Sequence, residues 1–195
     1  MRRSLEISIT ALMGAFATIL SVLKVEIPFP ILIYLKIDFA EIPVFLTYFL
    51  CNFRFGVIAS SLHFLGLFSR SGDILGPSMK MIAEISNLTG MYVGLKIKSR
   101  SMITKITSGI ILRVLSMTLI NIIVLEFLFP SYLYFSKTLL EQAGFYVPTL
   151  QCTLIYTLVF VAIYNIINAS ISVSFSYLIF RTIKKRLTSY FENNK

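Results

Sequence analysis

No charged residue falls between Glu141 and Arg181. About 20 apolar residues in helix cross the hydrocarbon core of a bilayer, so an uncharged stretch of this length predicts a membrane-spanning helix. The rest of the chain agrees. Of its 195 residues, 56% are hydrophobic and 14% charged, whereas roughly a quarter of a soluble domain is charged. Mean hydropathy is +0.82. The expected class is an all-α integral membrane bundle, one domain over 1–195.

The net charge of +9 invites comparison with nucleic-acid binders, but the basic residues cluster at the ends of apolar runs. That is the positive-inside pattern of a membrane protein, and no nucleic-acid partner is expected. Six helices are read, over about 5–23, 41–52, 55–68, 78–95, 106–129 and 149–180, with both termini cytoplasmic. Inner segments then hold Arg2, Arg3, Arg54, Lys96, Lys98, Arg100, Lys105, Arg181, Lys184, Lys185, Arg186 and Lys195. Outer segments and helix ends hold Lys24, Lys36, Arg70, Lys80 and Lys137. Arg113 lies within the fifth helix, within reach of the inner interface if its side chain snorkels. The expected location is the cell membrane, multi-pass and in contact with lipid. The basic start followed by an apolar run resembles a signal peptide, but it lacks a clear small-residue exit before Lys24 and is read as a retained helix.

Within this frame 35–43 stands out, with Lys36, Asp38 and Glu41 set directly against an apolar run. Charges in the bilayer centre cost at least about 2.5–3.5 kcal/mol, so such groups sit at an interface or line a polar cavity. Pro28-Phe29-Pro30 interrupts helix before them. The segment is expected to be a cap-like loop leading into the second helix. Segment 130–148 is read as the last outer loop. Lys36, Asp38, Glu41, Glu84, Asn87, Asn121, Asn165 and Glu126 all fall in the outer half of the bundle. Buried polar groups need partners. These either satisfy one another or line a cavity for a polar ligand, where amides offer both donors and acceptors to a heterocycle. His63 reads as a satisfied interhelical group. Ala11-x-x-x-Ala15 allows close helix approach, either within the bundle or to a partner subunit.

Several stretches resemble the riboflavin-type substrate-binding (S) components of energy-coupling factor (ECF) transporters. Leu35-Lys36-Ile37-Asp38-Phe39-Ala40-Glu41-Ile42-Pro43 is similar to the family's L-K-I-D-F-S-D-I-P, differing at Ala40 and Glu41. Ala83-Glu84-Ile85-Ser86-Asn87-Leu88 resembles G-E-L-A-N-F, and Leu119-Ile120-Asn121-Ile122 resembles L-L-N-Y. Tyr164-Asn165-Ile166-Ile167-Asn168-Ala169 resembles F-N-L-I-K-G, with Asn168 in place of the family's Lys. The resemblance implies a six-helix subunit that binds riboflavin or a related vitamin near the outer face. It would work with a transmembrane coupling subunit and two ATP-binding-cassette ATPases. The ligand-side residues it implies are Lys36, Asp38, Glu84, Asn87, Asn121, Tyr164, Asn165 and Asn168, with Lys36 and Asp38 ordering the first loop by pairing with each other or near Glu84. Ala11 and Ala15 would dock on the coupling subunit.

The chain lacks the phosphate-binding Gly-x-x-x-x-Gly-Lys-Ser/Thr loop, so its transport energy is expected to come from a partner or an ion gradient. An S component for a different vitamin or small heterocycle is one alternative. A stand-alone ion-coupled carrier and an intramembrane enzyme are others. Against the enzyme, there is no H-E-x-x-H and no recognisable nucleophile setting. Against the carrier, no internal repeat is visible. Cys51 and Cys152 have no metal-ligand spacing. No metal, cofactor or catalytic residue is expected.

Overall fold

The structure is a computed structural model, and it describes residues 3–96 and 101–193. The side chains of Arg2, Lys96, Lys98, Arg100 and Lys195, counted above for topology, lie outside the described residues. Among the described residues seven α-helices form a bundle: α1 (Arg3–Val22), α2 (Glu41–Leu50), α3 (Phe53–Ser71), α4 (Leu75–Lys96), α5 (Met102–Ile123), α6 (Pro130–Gln142) and α7 (Leu150–Asn193). A π-helical turn, Val124–Leu128, extends α5. Two short strands, β1 (Glu26–Pro28) and β2 (Lys36–Asp38), pair antiparallel between α1 and α2.

Turn chemistry sets the order of the helices. The Asn52 side chain accepts from the Arg54 N–H and caps α3. This reverses the chain within two residues of α2. Gly72 ends α3 with φ +65°, a left-handed conformation that costs glycine nothing. Asp73 then accepts from the backbone N–H groups of Leu75 and Gly76. These bonds hold its carboxyl below the usual carboxylate range and stabilise the start of α4.

Small residues bring the helices close. A Cβ on Gly90 would lie 2.4 Å from the Ser108 carbonyl oxygen, and one on Gly94 would lie 2.2 Å from Ser108 Oγ. Hence α4 and α5 touch backbone to backbone, an approach that small residues permit in membranes. On α1, Gly14 faces Leu62 and Thr18 faces Gly66 of α3. Ala11 and Ala15 lie on the exposed side of the same helix.

One apolar cluster, including Val44, Phe45, Tyr48, Leu88 and Met91, fills the bundle below the hairpin. A second joins the hairpin to α6 and α7 through Phe29, Leu32, Leu139, Leu140, Val147 and Tyr164. Outside, large apolar side chains such as Leu12, Ile103, Leu119, Phe127 and Ile155 are more than 60% exposed. Among the described residues, Arg3–Val22, Met102–Leu128 and Leu150–Arg186 are long and apolar enough to cross a membrane. The chain is a mostly helical membrane protein.

The structure differs from the sequence reading in four places. Segment 130–148 is not simply a loop, because Pro130 opens α6; proline at a first helical position loses no hydrogen bond. The cap-like first loop carries the β1–β2 hairpin. Helices α3 and α4 each run further toward the turn between them than read, to Ser71 and from Leu75. The last helix continues beyond residue 180 to Asn193.

Candidate functional site

The hairpin, the α3–α4 turn, α6 and the hairpin-side parts of α4, α5 and α7 line a partly open cavity of about 340 Å³. Leu35 and Lys36 line it from the hairpin, Met79, Lys80 and Ala83 from α4. Arg113, Met117, Asn121 and the π-turn residues Val124 and Leu125 line it from α5 and its extension. Tyr132 comes from α6, and Val161, Tyr164 and Asn165 from α7. The wall is mostly apolar by area, but Glu26, Lys36, Glu41, Arg70, Asp73, Lys80 and Arg113 also line it, more charge than a small-molecule site usually carries. The π-turn lies against this cavity, and such turns occur often at functional sites.

Beside the cavity Arg113, which is 1% exposed, forms a two-point ion pair with Glu41, which is fully buried. Its Nη1 donates to Oε2 at 2.6 Å and its Nη2 to Oε1 at 3.0 Å. Nε donates to Asn165 Oδ1 at 3.0 Å. Asn168 Nδ2 donates to Glu41 Oε1 at 2.8 Å. One network therefore joins α2, α5 and α7. Burying two charges is tolerable only with this degree of pairing. Arg113 thus does not snorkel: α2 brings Glu41 opposite it inside the bundle.

The hairpin is fastened from below. Tyr164 Oη donates to the Lys36 carbonyl at 2.8 Å. The Asp38 N–H donates to Asn168 Oδ1 at 3.2 Å. Lys80 pairs with Asp38, while Lys36 pairs with Glu26 across the strands. The expected Lys36–Asp38 pair is therefore not formed. In an antiparallel strand Lys36 and Asp38 lie two residues apart on one face, and each finds a closer partner: Glu26 on β1 and Lys80 on α4. Burial works to raise the Asp38 carboxyl, but Lys80 and the Ala40 N–H together hold it below the usual carboxylate range.

Glu84 belongs to a different network. His63 Nδ1 lies 2.7 Å from Glu84 Oε1, and Ser60 Oγ donates to Oε2 at 2.6 Å. His63 Nε2 lies 2.7 Å from Ser21 Oγ. His63 is thus the interhelical link expected of it, tying α1, α3 and α4.

Of the eight ligand-side residues taken from the sequence, Lys36, Asn121, Tyr164 and Asn165 line the cavity. The other four do not. Asp38 and Asn168 secure the hairpin, and Glu84 is bound to His63. Asn87 is buried against Gly109, and neither amide atom has a hydrogen-bond partner among the described residues. Glu126 is exposed on the π-turn. Arg113, Glu41 and Lys80 line the cavity but were outside the expected ligand set. Their signal was a charge in or beside an apolar helix, the feature that marks a polar cavity in a membrane protein.

No family model matches the chain, and no curated protein matches it. Among solved structures it is similar to the S component of a bacterial ECF transporter. The two share 22% identity and superpose with a TM-score of 0.72 over 95% of this chain and 99% of that one. The chain therefore has the fold of an ECF S component.

Proposed function

We propose that this protein is the vitamin-binding subunit of an ECF-type importer, with riboflavin or a related flavin as its ligand. One observation carries the reading: a partly open cavity of about 340 Å³ lies at the hairpin end of an S-component fold. A ligand partly enclosed by protein and held by a few polar groups is what such a cavity suits. Tyr164, Asn165 and Asn121 supply an aromatic face and two amides. A planar heterocycle stacks on the first and meets the sites the two amides leave open, since each already donates to a carbonyl of its own helix.

The hairpin is the entry gate in this reading. It is held by a few polar fastenings and by the apolar cluster of Phe29 and Leu32 against α6 and α7, so opening breaks both while the cluster around Val44, Phe45 and Leu88 stays intact. Six crossings with both ends inside are supported by the bias of the basic residues toward the α2–α3 turn, the α4–α5 connection and the end of α7. Ala11 and Ala15, exposed on α1, form the docking face for a transmembrane coupling subunit, which two ABC ATPases drive.

The test is uptake of labelled riboflavin into proteoliposomes. The protein reconstituted alone should take up none. Adding a coupling subunit, its two ATPases and enclosed ATP should start uptake. Gradient-driven uptake by the protein alone would contradict the proposal and identify a stand-alone carrier.

A further inference from the structure

Arginine has five N–H donors in one plane. In Arg113, Glu41 takes one from each terminal nitrogen and Asn165 takes the one on Nε. No further hydrogen bond to Arg113 forms among the described residues, so two donors are unused. Arg113 lines the cavity and is 1% exposed. A buried donor without an acceptor costs about 1–3 kcal/mol, more when the group is charged. The neighbouring acceptors are already engaged: both Glu41 oxygens by Arg113 and Asn168, and Asn165 Oδ1 by Nε. The two remaining donors are thus satisfied from the cavity side, by a water or by an oxygen of a bound ligand that displaces it.

We infer that Arg113 is a specificity-determining residue, selecting ligands whose inserted end presents a carbonyl or anionic oxygen. The inference rests on the binding-subunit reading above and goes beyond it by naming the group recognised. Glu41 fixes the guanidinium plane by two-point pairing, and Asn165 fixes its rotation. The donors are thus held in place before the ligand arrives, so little ordering entropy is lost on binding. A site built around a buried donor discriminates strongly against an analogue lacking the acceptor, because the donor then stays unsatisfied.

The test compares binding to wild-type and Arg113→Lys protein, purified in detergent. Riboflavin, biotin and pantothenate carry acceptor oxygens on compact frames. Thiamine is a cation whose ring system carries no carbonyl. At least one acceptor-bearing probe should bind the wild type, with affinity lowered at least tenfold in Arg113→Lys, which keeps the charge beside Glu41 but not the planar fork. Thiamine should not bind. If Arg113→Lys does not fold, the pair Glu41→Gln with Arg113→Met removes both charges together and should show the same loss. The inference is overturned if thiamine alone binds, if wild type and variant bind equally, or if no acceptor-bearing probe binds. Binding of biotin or pantothenate but not riboflavin, with the same loss on substitution, would uphold Arg113 while refuting the flavin assignment.

Discussion

Glu41 and Arg113 show what one buried pair demands of its surroundings. Removing one partner leaves an uncompensated charge inside the bundle, at a cost of about 3–5 kcal/mol. Glu41→Ala should therefore lower the thermal midpoint in detergent sharply. Joint replacement by Gln and Met should recover most of that loss; equal destabilisation by both variants would contradict the pairing. Asn165→Ala should weaken riboflavin binding at least tenfold while the protein stays folded, checked by titration and gel filtration. The Asp38–Lys80 link gives a pH prediction. A carboxyl held below its ordinary value of about 3.9 contributes stability above that value and loses it as pH falls through the lowered one. Hairpin closure, followed as the ligand release rate, should thus be steady from pH 8 to 5. Release should quicken only below about pH 4. The sequence placed Arg113 near the inner interface because helix periodicity cannot show what stands across the bundle. Asn121, Tyr164 and Asn165 were legible because polar groups in an apolar helix stand out. Asn168 and Glu84 were equally visible, but their partners, Asp38 and His63, come from elements distant in sequence.

At the scale of the element, α1 separates two uses of small residues. Gly14 faces α3, where a Cβ would lie 2.6 Å from Leu62 Cδ1. Ala15, the next residue, is exposed. Gly14→Leu should therefore destabilise the bundle, and Ala15→Leu should leave the melting temperature nearly unchanged. A matched loss of stability in both would refute the division. Sequence pattern alone could not divide them, since small residues fall on more than one face of the helix and only the position of α3 decides which face is internal. The helices themselves were legible from their apolar runs. Helix α6 was not, because its Tyr- and Phe-rich stretch begins with proline and follows a π-turn. The hairpin was legible as an interruption of helix, though its strand pairing depends on register between residues ten or so apart.

At the scale of the molecule, polar function is confined to one end and apolar contact to the sides. The cavity and hairpin occupy the end opposite the basic turns, and the exposed apolar side chains face outward between them. In the proposed function, binding and coupling are thus spatially separate. Ala15→Leu should preserve riboflavin affinity yet abolish uptake in proteoliposomes with the coupling subunit and ATPases; retained uptake would place docking elsewhere. Ligand retention tests the central claim most directly. The protein should be expressed in medium containing riboflavin, purified in detergent, and its absorption spectrum recorded. A flavin spectrum at near one ligand per protein is predicted. A colourless, folded protein that also fails to bind added riboflavin would contradict the flavin-binding account.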